Sequence, residues 1–440
     1  MTIEAIPMET ATLTEETEIE SQPNFGLLRK RTKLILQRLL EGGQGLKNIS
    51  LDSRPLGRLF TLKEVEKMTS KTDTTLKKYI KQIQSKIADG AYIGKALPPL
   101  EFNEKRTRII GYPFSWVQAL RKEANTLPWR HPDFDDPFIL AVSQFKGGVG
   151  KTEVVANFAR YLAMRGYRVL VIDMDHQASC TGSFGVFPDM MFTEQDTVIP
   201  YIRGDEDDLS YAIKKTAWPN IDLIPGCLQL ESFNWSLAKA AMECTSAQET
   251  KDLYEELKIG IGTVSGNYDI VLIDSPPSSS ISSFEILAAA DGIVVPLPPR
   301  KHDLASTEQF LGIAERLFGT VVVNDDGEEV EEEGILADKE FKFLRFLITQ
   351  FTNEKPRSTN DIDFFNICRK IYGSLCYEKV FRTISNIKEA SREFTTVYEV
   401  EKPNKAILKE LDAMFAQIET DILRHWPSKQ KQLSAAAFGA

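Results

Sequence analysis

The sequence predicts an α/β fold in which a parallel sheet is flanked by helices and preceded by a smaller helical region. Two observations predict the sheet: from residue 138 onward short apolar runs alternate with helical stretches, and the first run leads directly into a glycine-rich loop. A third observation, a basic block at residues 27–130, sets the N-terminal part apart. With 440 residues, the chain has room for two domains and an arm.

Composition excludes several classes of protein. The chain is 42% hydrophobic and 26% charged, as soluble globular proteins are. Its apolar runs are far shorter than the roughly 18 residues of a spanning helix, and the acidic N-terminus lacks the apolar core of a signal peptide. Five cysteines without a C-x-x-C pair argue against a disulfide framework or a zinc ribbon and predict a reduced, cytoplasmic location.

Charge divides the chain into three parts. Residues 1–26 contain six Glu and no Lys or Arg, whereas residues 27–130 contain 22 Lys and Arg against nine Asp and Glu. The remainder carries a net charge of −17, so the total of −10 conceals a block of +13. This asymmetry suggests a DNA-contacting module joined to an acidic one, although a solvated lysine-rich helical surface is the alternative.

Two segments precede the basic domain. Residues 1–26 have no apolar periodicity and are predicted to be a flexible arm. Residues 27–44 are predicted to form an amphipathic helix that ends at Gly42-Gly43. This helix could pack against its own chain or pair with a second one, and the sequence leaves both open.

Residues 45–130 are predicted to contain a helix-turn-helix. Thr61 and Glu64 form a capping-box pattern at the start of the first helix, and Thr74 or Thr75 is expected to cap the second. The apolar stripe of the second helix consists of Leu76, Ile80, Ile83 and Ile87. A structural helical pair without DNA contacts is the alternative reading of this pattern.

The segment 97–118 is predicted to be a strand–turn–strand with a basic tip, as in the wing of a winged helix. Together, the second helix and the wing would present cationic side chains to the groove and the phosphates. The residues expected to contact DNA here are Thr74, Lys77, Lys78, Lys81, Lys105, Arg106 and Arg108.

The larger region, 131–426, is predicted to contain the parallel sheet, followed by a tail at 427–440. Its candidate strands are 138–142, 168–172, 221–224, 269–273, 293–297 and 343–351. The run at 324–333 is too polar to pack and is predicted to be an exposed loop.

The loop after the first strand, residues 146–152 (KGGVGKT), carries a variant of the P-loop pattern, with Phe145 where that pattern begins with Gly. Glycines let backbone N–H groups surround phosphate oxygens at the N-terminus of the following helix. Lys151 is predicted to neutralise the β- and γ-phosphates, and Thr152 to ligate Mg²⁺. The residues expected to bind nucleotide are Lys146, Gly147, Gly148, Val149, Gly150, Lys151, Thr152 and Glu153.

Carboxylates follow two other strands. Asp173 and Asp175 come after the second candidate strand, and Asp274 comes after a later one. Ligands of parallel sheets bind at the carboxyl ends of the strands, where these side chains could position a metal ion and a water molecule. The predicted fold class is therefore a P-loop NTPase parallel sheet flanked by helices, preceded by an α-helical winged helix-turn-helix domain.

The strings KGGVGKT, RVLVIDMDHQAS, YDIVLIDSPPS and VVPLPPRKHDLAS resemble the deviant-Walker ATPases of the ParA, MinD and nitrogenase-iron-protein superfamily. The D-x-D-x-Q pattern favours the ParA partition branch, and the N-terminal region resembles long plasmid ParA proteins, including the RepA proteins of repABC replicons. Asn157 and residues 387–400 also match this family, so the resemblance spans most of 27–400.

The resemblance implies a role for each matched residue. Lys146 would reach the phosphates of a partner subunit, Lys151 and Thr152 would serve as the ordinary P-loop pair, Asp175 would orient the hydrolytic water, and Asp173 and Asp274 would lie around Mg²⁺. The catalytic residues would be Asp175, Lys146 and Lys151, and the metal residues Thr152, Asp173 and Asp274. Basic residues at 382–392, notably Arg382 and Lys388, would contact DNA without sequence preference.

The resemblance also implies cofactors and partners. These are ATP and Mg²⁺, a homodimer, operator and non-specific DNA, a ParB-like centromere-binding protein, and a nucleoid-associated location without a membrane. The implied function is replicon partition by a weak Mg-dependent ATPase that also represses its own operon. An ATP-gated transcriptional regulator is one alternative, and a MinD-like positioning ATPase is disfavoured because 427–440 has no amphipathic anchor.

Three residues depart from the family pattern: Phe145, Glu153, and His176, which stands where Pro is usual. None of these changes removes a phosphate ligand. His176 could be a catalytic base, but the interpretation that it replaces a loop proline is favoured, because no second His is close in sequence.

Overall fold

The computed structural model contains a seven-stranded sheet with helices on both faces. The described residues are 51, 56, 58–94, 96–105, 108–127, 130–319, 322–323, 329–330, 333–352, 357–382 and 385–430. The predicted arm and first helix (1–44), Arg106, and the tail beyond residue 430 lie outside them.

The strands follow the predicted order along the chain. They are β1 Phe138–Val142, β2 Val169–Asp173, β3 Lys214–Lys215, β4 Ile221–Ile224, β5 Ile270–Asp274, β6 Gly292–Leu297, β7 Val322–Val323, β8 Glu329–Val330 and β9 Phe343–Ile348. The sheet order is β3-β4-β2-β5-β1-β6-β9, with β3 antiparallel to β4 and every other pair parallel. This arrangement places the carboxyl ends of β1, β2 and β5 side by side.

Fourteen α-helices and three short 3₁₀ helices accompany the strands in the described part of the chain. The helices are α1 Leu62–Thr69, α2 Asp73–Ala88, α3 Phe114–Ala124, α4 Lys151–Arg165, α5 Ser179–Gly182, α6 Pro188–Met191, α7 Ile199–Ile202, α8 Gln229–Glu243, α9 Ala247–Ser265, α10 Ile281–Ala289, α11 Lys301–Phe318, α12 Arg357–Tyr372, α13 Ser385–Arg392 and α14 Lys405–Arg424. The 3₁₀ helices are Glu194–Asp196, Ser210–Ala212 and Gly373–Leu375.

Alternate residues of the central strands belong to two buried clusters, one on each face of the sheet. Leu140 belongs to the cluster that includes residues of α4 and α14, whereas Ala141 belongs to the cluster with residues of α8, α9 and α11. Side chains of a strand point alternately to its two faces, and here helices cover both. This explains why the central strands are continuous apolar runs.

Two predictions about the sheet region need correction. The predicted strand 343–351 ends at Ile348, because Gln350 adopts a left-handed conformation with φ of 52°. The predicted loop 324–333 is wrong at Glu329–Val330, which pair with Val322–Val323 in a two-stranded antiparallel hairpin. The other five predicted strands are confirmed to within one residue at each end.

Threonine residues stand at the N-terminal caps of both α1 and α2. Thr61 caps α1, and its backbone N–H donates to Glu64 at 2.8 Å, so the predicted capping box is confirmed. The predicted cap at Thr74 or Thr75 is wrong: the cap is Thr72, and both residues lie inside α2, where Asp73 N–H donates to the Glu66 carboxylate at 3.0 Å.

The predicted apolar stripe of α2 is confirmed in part. The side chains of Leu76, Ile80 and Ile83 are buried, but Ile87 in the last turn is 43% exposed. Ile87 therefore lies beyond the part of the helix that packs into the core.

The predicted wing is much shorter than expected. Phe102 and Ile109 form an isolated antiparallel bridge, with Asn103 N–H donating to the Arg108 carbonyl at 2.9 Å. From Phe114 onward the chain is helical, so the second predicted strand does not extend through 114–118.

Helix α3 connects the N-terminal helices to the region of the sheet. Gln118 donates to the Ala163 carbonyl at 3.1 Å, and Arg121 donates to the Met164 carbonyl at 2.7 Å, both at the end of α4. Phe114 packs edge-on against Trp218, with ring centroids 4.7 Å apart. Among the described helices, none is long and apolar enough to cross a membrane.

A buried carboxyl group in α10 predicts a pH-dependent stability. Glu285 is fully buried, and neither carboxyl oxygen has a hydrogen-bond partner among the described residues. Burial, reinforced by the charge of Glu256, raises the pKa of Glu285 well above its usual value. Because the folded state then binds the proton more tightly, the free energy of unfolding should fall by up to about 1.4 kcal/mol per pH unit as pH rises above the unfolded-state pKa.

Glu285→Gln removes this titration. We expect its free energy of unfolding, relative to wild type, to increase steadily between pH 5 and pH 8 in urea titrations. Glu243→Gln, an exposed change on α8, should show no such trend. If the difference in unfolding free energy between Glu285→Gln and wild type stays constant across this pH range, the prediction is wrong.

Candidate active site

The loop between β1 and α4 has the conformation of a phosphate cradle. Gly148 and Gly150 adopt left-handed backbone conformations with φ of 69° and 96°, which side chains disfavour. The loop leads into the N-terminus of α4, where backbone N–H groups and the helix dipole favour an anion.

Residues at the end of β9 support this cradle from outside. Thr349 donates to the Val149 carbonyl at 2.7 Å, and the Gln350 side-chain amide donates to the Gly148 carbonyl. Arg300 in turn donates to the Gln350 side chain at 2.6 Å. Sequence reasoning missed all three residues, because they lie about 150–200 positions from the loop and match no motif.

Lys151 extends into the interior of the cradle. Its ammonium donates to the Lys146 carbonyl at 3.0 Å, and only 6% of the residue is exposed. Burial lowers the pKa of Lys151, while the charges of Asp274 and Asp175 oppose that shift. A cation in this position is partly desolvated and would gain strongly from a phosphate.

The carboxylates Asp173 and Asp274 are cross-strand neighbours on β2 and β5. Asp173 accepts hydrogen bonds from the backbone N–H and the hydroxyl of Thr181, both at 2.8 Å. Burial raises the pKa of Asp173 to about 6, against the effect of these hydrogen bonds. Burial and the neighbouring Asp173 raise the pKa of Asp274 well above its usual value.

The pair Thr152 and Asp274 fits a Mg²⁺ ion. The Thr152 hydroxyl donates to one Asp274 oxygen at 2.7 Å, and the other Asp274 oxygen is buried without a partner among the described residues. Both side chains offer the hard oxygen donors that Mg²⁺ prefers. Across the described residues, no group of three or more His, Cys, Asp or Glu is arranged to bind a metal ion.

Asp175 is the most solvent-accessible of the three carboxylates. It is 9% exposed, against 1% for Asp173 and 0% for Asp274. One of its oxygens accepts the Gln177 backbone N–H at 3.0 Å and lies 3.5 Å from His176 Nδ1. The other ring nitrogen of His176 lies 4.0 Å from Glu231, an exposed residue on α8.

Lys146 forms an ion pair that the sequence did not reveal. Its ammonium lies 2.6 Å from Asp303, whose side chain is buried in the first turn of α11. The preceding Phe145 packs against Phe310 with ring centroids 4.9 Å apart, which explains an aromatic residue at this position. Glu153 lies in the first turn of α4, where its carbonyl accepts the Asn157 amide at 2.8 Å.

A second contact network fixes Asp173. The Gly226 backbone N–H donates to the Thr181 hydroxyl at 2.9 Å, and that hydroxyl donates to Asp173. A Cβ atom on Gly226 would lie 2.8 Å from the Asp175 carbonyl oxygen, so only glycine fits there. Neither Thr181 nor Gly226 stood out in the sequence.

The candidate DNA-contacting residues lie in three other places. Lys77, Lys78 and Lys81 are exposed on α2, and Lys105 and Arg108 are exposed beside the Phe102–Ile109 bridge. Lys388 is exposed on α13, and Arg382 pairs with Glu410 at 2.8 Å. Thr74 is exposed in the first turn of α2.

Comparison with known proteins identifies the family. A family model described as an AAA domain matches residues 138–323. Protein SopA of Escherichia coli (strain K12) is 29% identical over 303 residues, which cover 69% of this chain and 73% of SopA. A putative replication protein A of Rhizobium rhizogenes is 31% identical over 296 residues, which cover 66% of this chain and 69% of that protein. This chain belongs to the ParA-type partition ATPases.

A solved structure agrees with this family in fold. A partition protein with 17% sequence identity superimposes with a TM-score of 0.53, covering 85% of this chain and 96% of that one. The relatives thus confirm the resemblance to ParA-type partition ATPases, and this structure agrees with the predicted fold of the sheet region.

Proposed function

We propose that this ParA-type ATPase binds ATP with Mg²⁺, dimerises on it, and hydrolyses it slowly to ADP and phosphate. The observation that carries the proposal is the preformed cradle of residues 146–152 at the carboxyl edge of the sheet, next to Asp173, Asp175 and Asp274. A measurement of ATP turnover with and without Mg²⁺ tests it directly.

Each residue of the site would have a distinct part. The cradle N–H groups and Lys151 would bind the β- and γ-phosphates, and Thr152 with Asp274 would bind Mg²⁺, while Asp173 lies against them. Mg²⁺ would offset the charge that develops on the phosphate oxygens. Asp175 would orient the attacking water, because it is the carboxylate with solvent access.

The Lys146–Asp303 ion pair gives a reason why the proposed dimer would depend on nucleotide. Within one chain, Lys146 is bound to its own Asp303. If Lys146 binds the phosphates of a second subunit, as the family resemblance implies, this ion pair must first break. Nucleotide would then supply the competing negative charge.

Lys146→Gln should leave ATP binding within about threefold of wild type, because Lys151 remains, but should abolish ATP-dependent dimers and reduce turnover at least about tenfold. Light scattering and a phosphate-release assay measure the two effects. Asp303→Asn should have the opposite effect and lower the ATP concentration needed for dimers. Normal dimers and turnover in Lys146→Gln would contradict the role across subunits.

We further propose that α2 binds the operator of the protein's own operon. Lys77, Lys78 and Lys81 are exposed on one helix whose other side is buried, and Lys77 pairs with Asp73 at the surface, where phosphates can compete for it. Replacing all three with Ala should weaken operator binding and reduce the slope of log affinity against log salt by about 2 to 3. Fluorescence anisotropy with operator and random duplexes, over a salt series, measures both.

A matched control is available in the ATPase region. Lys239, Lys370 and Lys379 are also exposed, and Lys239 has an i,i+4 partner, Glu243, just as Lys77 has Asp73. Changing these three to Ala should leave operator binding unchanged, and neither triple variant should alter ATP hydrolysis. Operator affinity that is equal in both triple variants would favour a structural role for α2.

Non-specific DNA binding is proposed for the region around α13. Lys388 and Arg392 are exposed there, and Arg382 lies nearby in sequence, paired with Glu410. These cations, together with ATP-dependent dimers, would place the protein on the nucleoid, where a ParB-like centromere-binding partner would stimulate hydrolysis. The exposed lysines of α2 also favour an ATP-gated transcriptional regulator, and turnover that a partner and DNA leave unchanged would support that function instead.

A further inference from the structure

A cavity of about 860 Å³ lies between the N-terminal helices and the ATPase region. Its walls come from α1, α3, the last turns of α4, and the segment around the start of α14. None of residues 146–152 lines it, so it is separate from the phosphate cradle. Its volume is in the range of sites for cofactors and metabolites.

The lining of this cavity is strongly cationic. Seven basic side chains face three carboxylates, Glu64, Glu401 and Asp412. Lys402, Lys405 and Lys409 form an exposed rim on one side, and Lys67 lies on the N-terminal side. An anion that entered would thus meet positive charge from both parts of the protein.

Two arginines form the buried part of the lining, and each has an unsatisfied nitrogen. Arg58 is 6% exposed, and its Nη1 has no partner among the described residues, while its Nη2 lies 2.7 Å from Glu64. Arg121 is 7% exposed; its terminal nitrogens donate to backbone carbonyls, but its Nε lacks a partner within the described chain. These nitrogens have no surface that a ligand could touch, but the two guanidinium groups place positive charge directly behind the cavity wall, where it attracts an anion.

Arg121 lies near a second guanidinium group, that of Arg165. Burial and the neighbouring charge of Arg165 lower the pKa of Arg121 to about 10. Arg165 is itself paired with Glu419 at 3.3 Å, and the two arginines add positive charge to this side of the cavity, which suits phosphate oxygens.

The remaining walls are apolar or aromatic. Leu59, Met68, Met164 and Leu408 line the cavity together with Tyr161 and Tyr398. The tyrosine hydroxyls are already engaged, by Glu419 at 2.6 Å and by Asp412 at 2.9 Å, so the two rings present apolar surface. These walls favour a ligand with a ring next to its anionic groups.

We propose that this cavity is a second ligand site that binds a small polyphosphate bearing a ring, of about mononucleotide size. The site goes beyond the proposed ATPase function, since it uses no residue of the P-loop. It joins α1 of the N-terminal helices to α4, the helix that begins with Lys151, so a ligand there contacts both regions at once.

The test uses the full chain carrying Lys151→Ala, which disables the P-loop. Calorimetric titration with ADP should show one site per chain, and Lys402→Glu with Lys405→Glu should raise its Kd at least about tenfold. Tripolyphosphate, which has no ring, should bind more weakly than ADP. The matched control is Lys239→Glu with Lys370→Glu, which changes net charge equally and should leave the Kd unchanged.

Three results would overturn the proposal. These are the absence of ADP binding to the Lys151→Ala chain, ADP binding that the rim pair leaves unaltered, and equal sensitivity to the rim and control pairs. ADP binding that the rim substitutions leave unchanged would come from the P-loop. That result would refute the second site without refuting the proposed ATPase function, which is tested by ATP turnover. Melting temperatures of the rim and control variants without ligand, expected to agree within a few degrees, establish that both fold.

Discussion

Replacing Lys151 with Ala should weaken ATP binding at least about 100-fold, the largest effect on nucleotide affinity that we expect from one substitution. The Lys151 ammonium is buried inside the cradle and donates there to the Lys146 carbonyl. Charge-assisted hydrogen bonds to phosphate contribute about 1.5–3 kcal/mol each, and two such bonds would be lost. Removing the cation also leaves the charges of Asp175 and Asp274 without the ammonium that opposes them.

Calorimetry with ATP and Mg²⁺ measures this effect on the full chain. Lys239→Ala is a suitable control, because it removes an exposed lysine that pairs with Glu243 on the surface of α8 and should leave the affinity unchanged. Nucleotide affinity within a few-fold of wild type in Lys151→Ala, with Lys402→Glu and Lys405→Glu present in both chains to silence the second site, would show that residues 146–152 are not the phosphate site.

The sequence was sufficient to predict the sheet and its central loop, because both depend on local signals. Strands buried on both faces are apolar along their whole length, so β1, β2 and β5 stand out against their surroundings. The glycine pattern requires no tertiary information, since the left-handed conformations of Gly148 and Gly150 are intrinsic to that residue type.

The partners of the site could not be predicted, because they come from distant parts of the chain. Asp303 is 157 positions from Lys146, and Thr349 and Gln350 are 200 and 202 positions from the carbonyls they contact. A lone Asp, Thr or Gln after a strand or in a first helical turn has many ordinary uses, such as helix capping. Only the folded arrangement gives these residues a role at the loop.

The predictions of the short elements are wrong for a related reason. The sequence predicts a strand–turn–strand wing across 97–118, but Phe114, Trp116 and Val117 are buried as part of helix α3. Tertiary packing of these aromatic side chains overrides their preference for strands. The cap of α2 is also influenced by a contact outside the local sequence. The helix begins at Asp73, whose backbone N–H donates to Glu66 of the preceding helix.

Asp175→Ala should reduce ATP turnover at least about 100-fold while ATP binding persists. The three carboxylates of the site differ in how they are engaged. Asp173 is saturated by Thr181 and the Asp175 backbone N–H, and Asp274 is bound to Thr152. Asp175 alone keeps access to solvent, so it is the one able to orient a water molecule. Its loss removes no phosphate contact.

The charge of Asp175 also affects the expected ATP affinity. The charge of Asp175 raises the pKa of both Asp173 and Asp274, which means that it repels them. Removing that charge, by Asp175→Ala or Asp175→Asn, should leave ATP affinity equal to wild type or tighter. With hydrolysis blocked, ATP-dependent dimers should therefore accumulate and persist.

The measurements are phosphate release with partner and DNA present, and light scattering over the same period. His176→Ala serves as the matched control, because His176 Nδ1 lies 3.5 Å from Asp175 but is interpreted as a substitute for a loop proline. It should reduce turnover by no more than about threefold, whereas a catalytic base would cost about 100-fold or more. If His176→Ala loses turnover as severely as Asp175→Ala, the two act as a unit and the histidine takes the proton. If Asp175→Ala instead turns over ATP normally, the water must be oriented by another group, and Asp175 has a purely structural role next to Lys151.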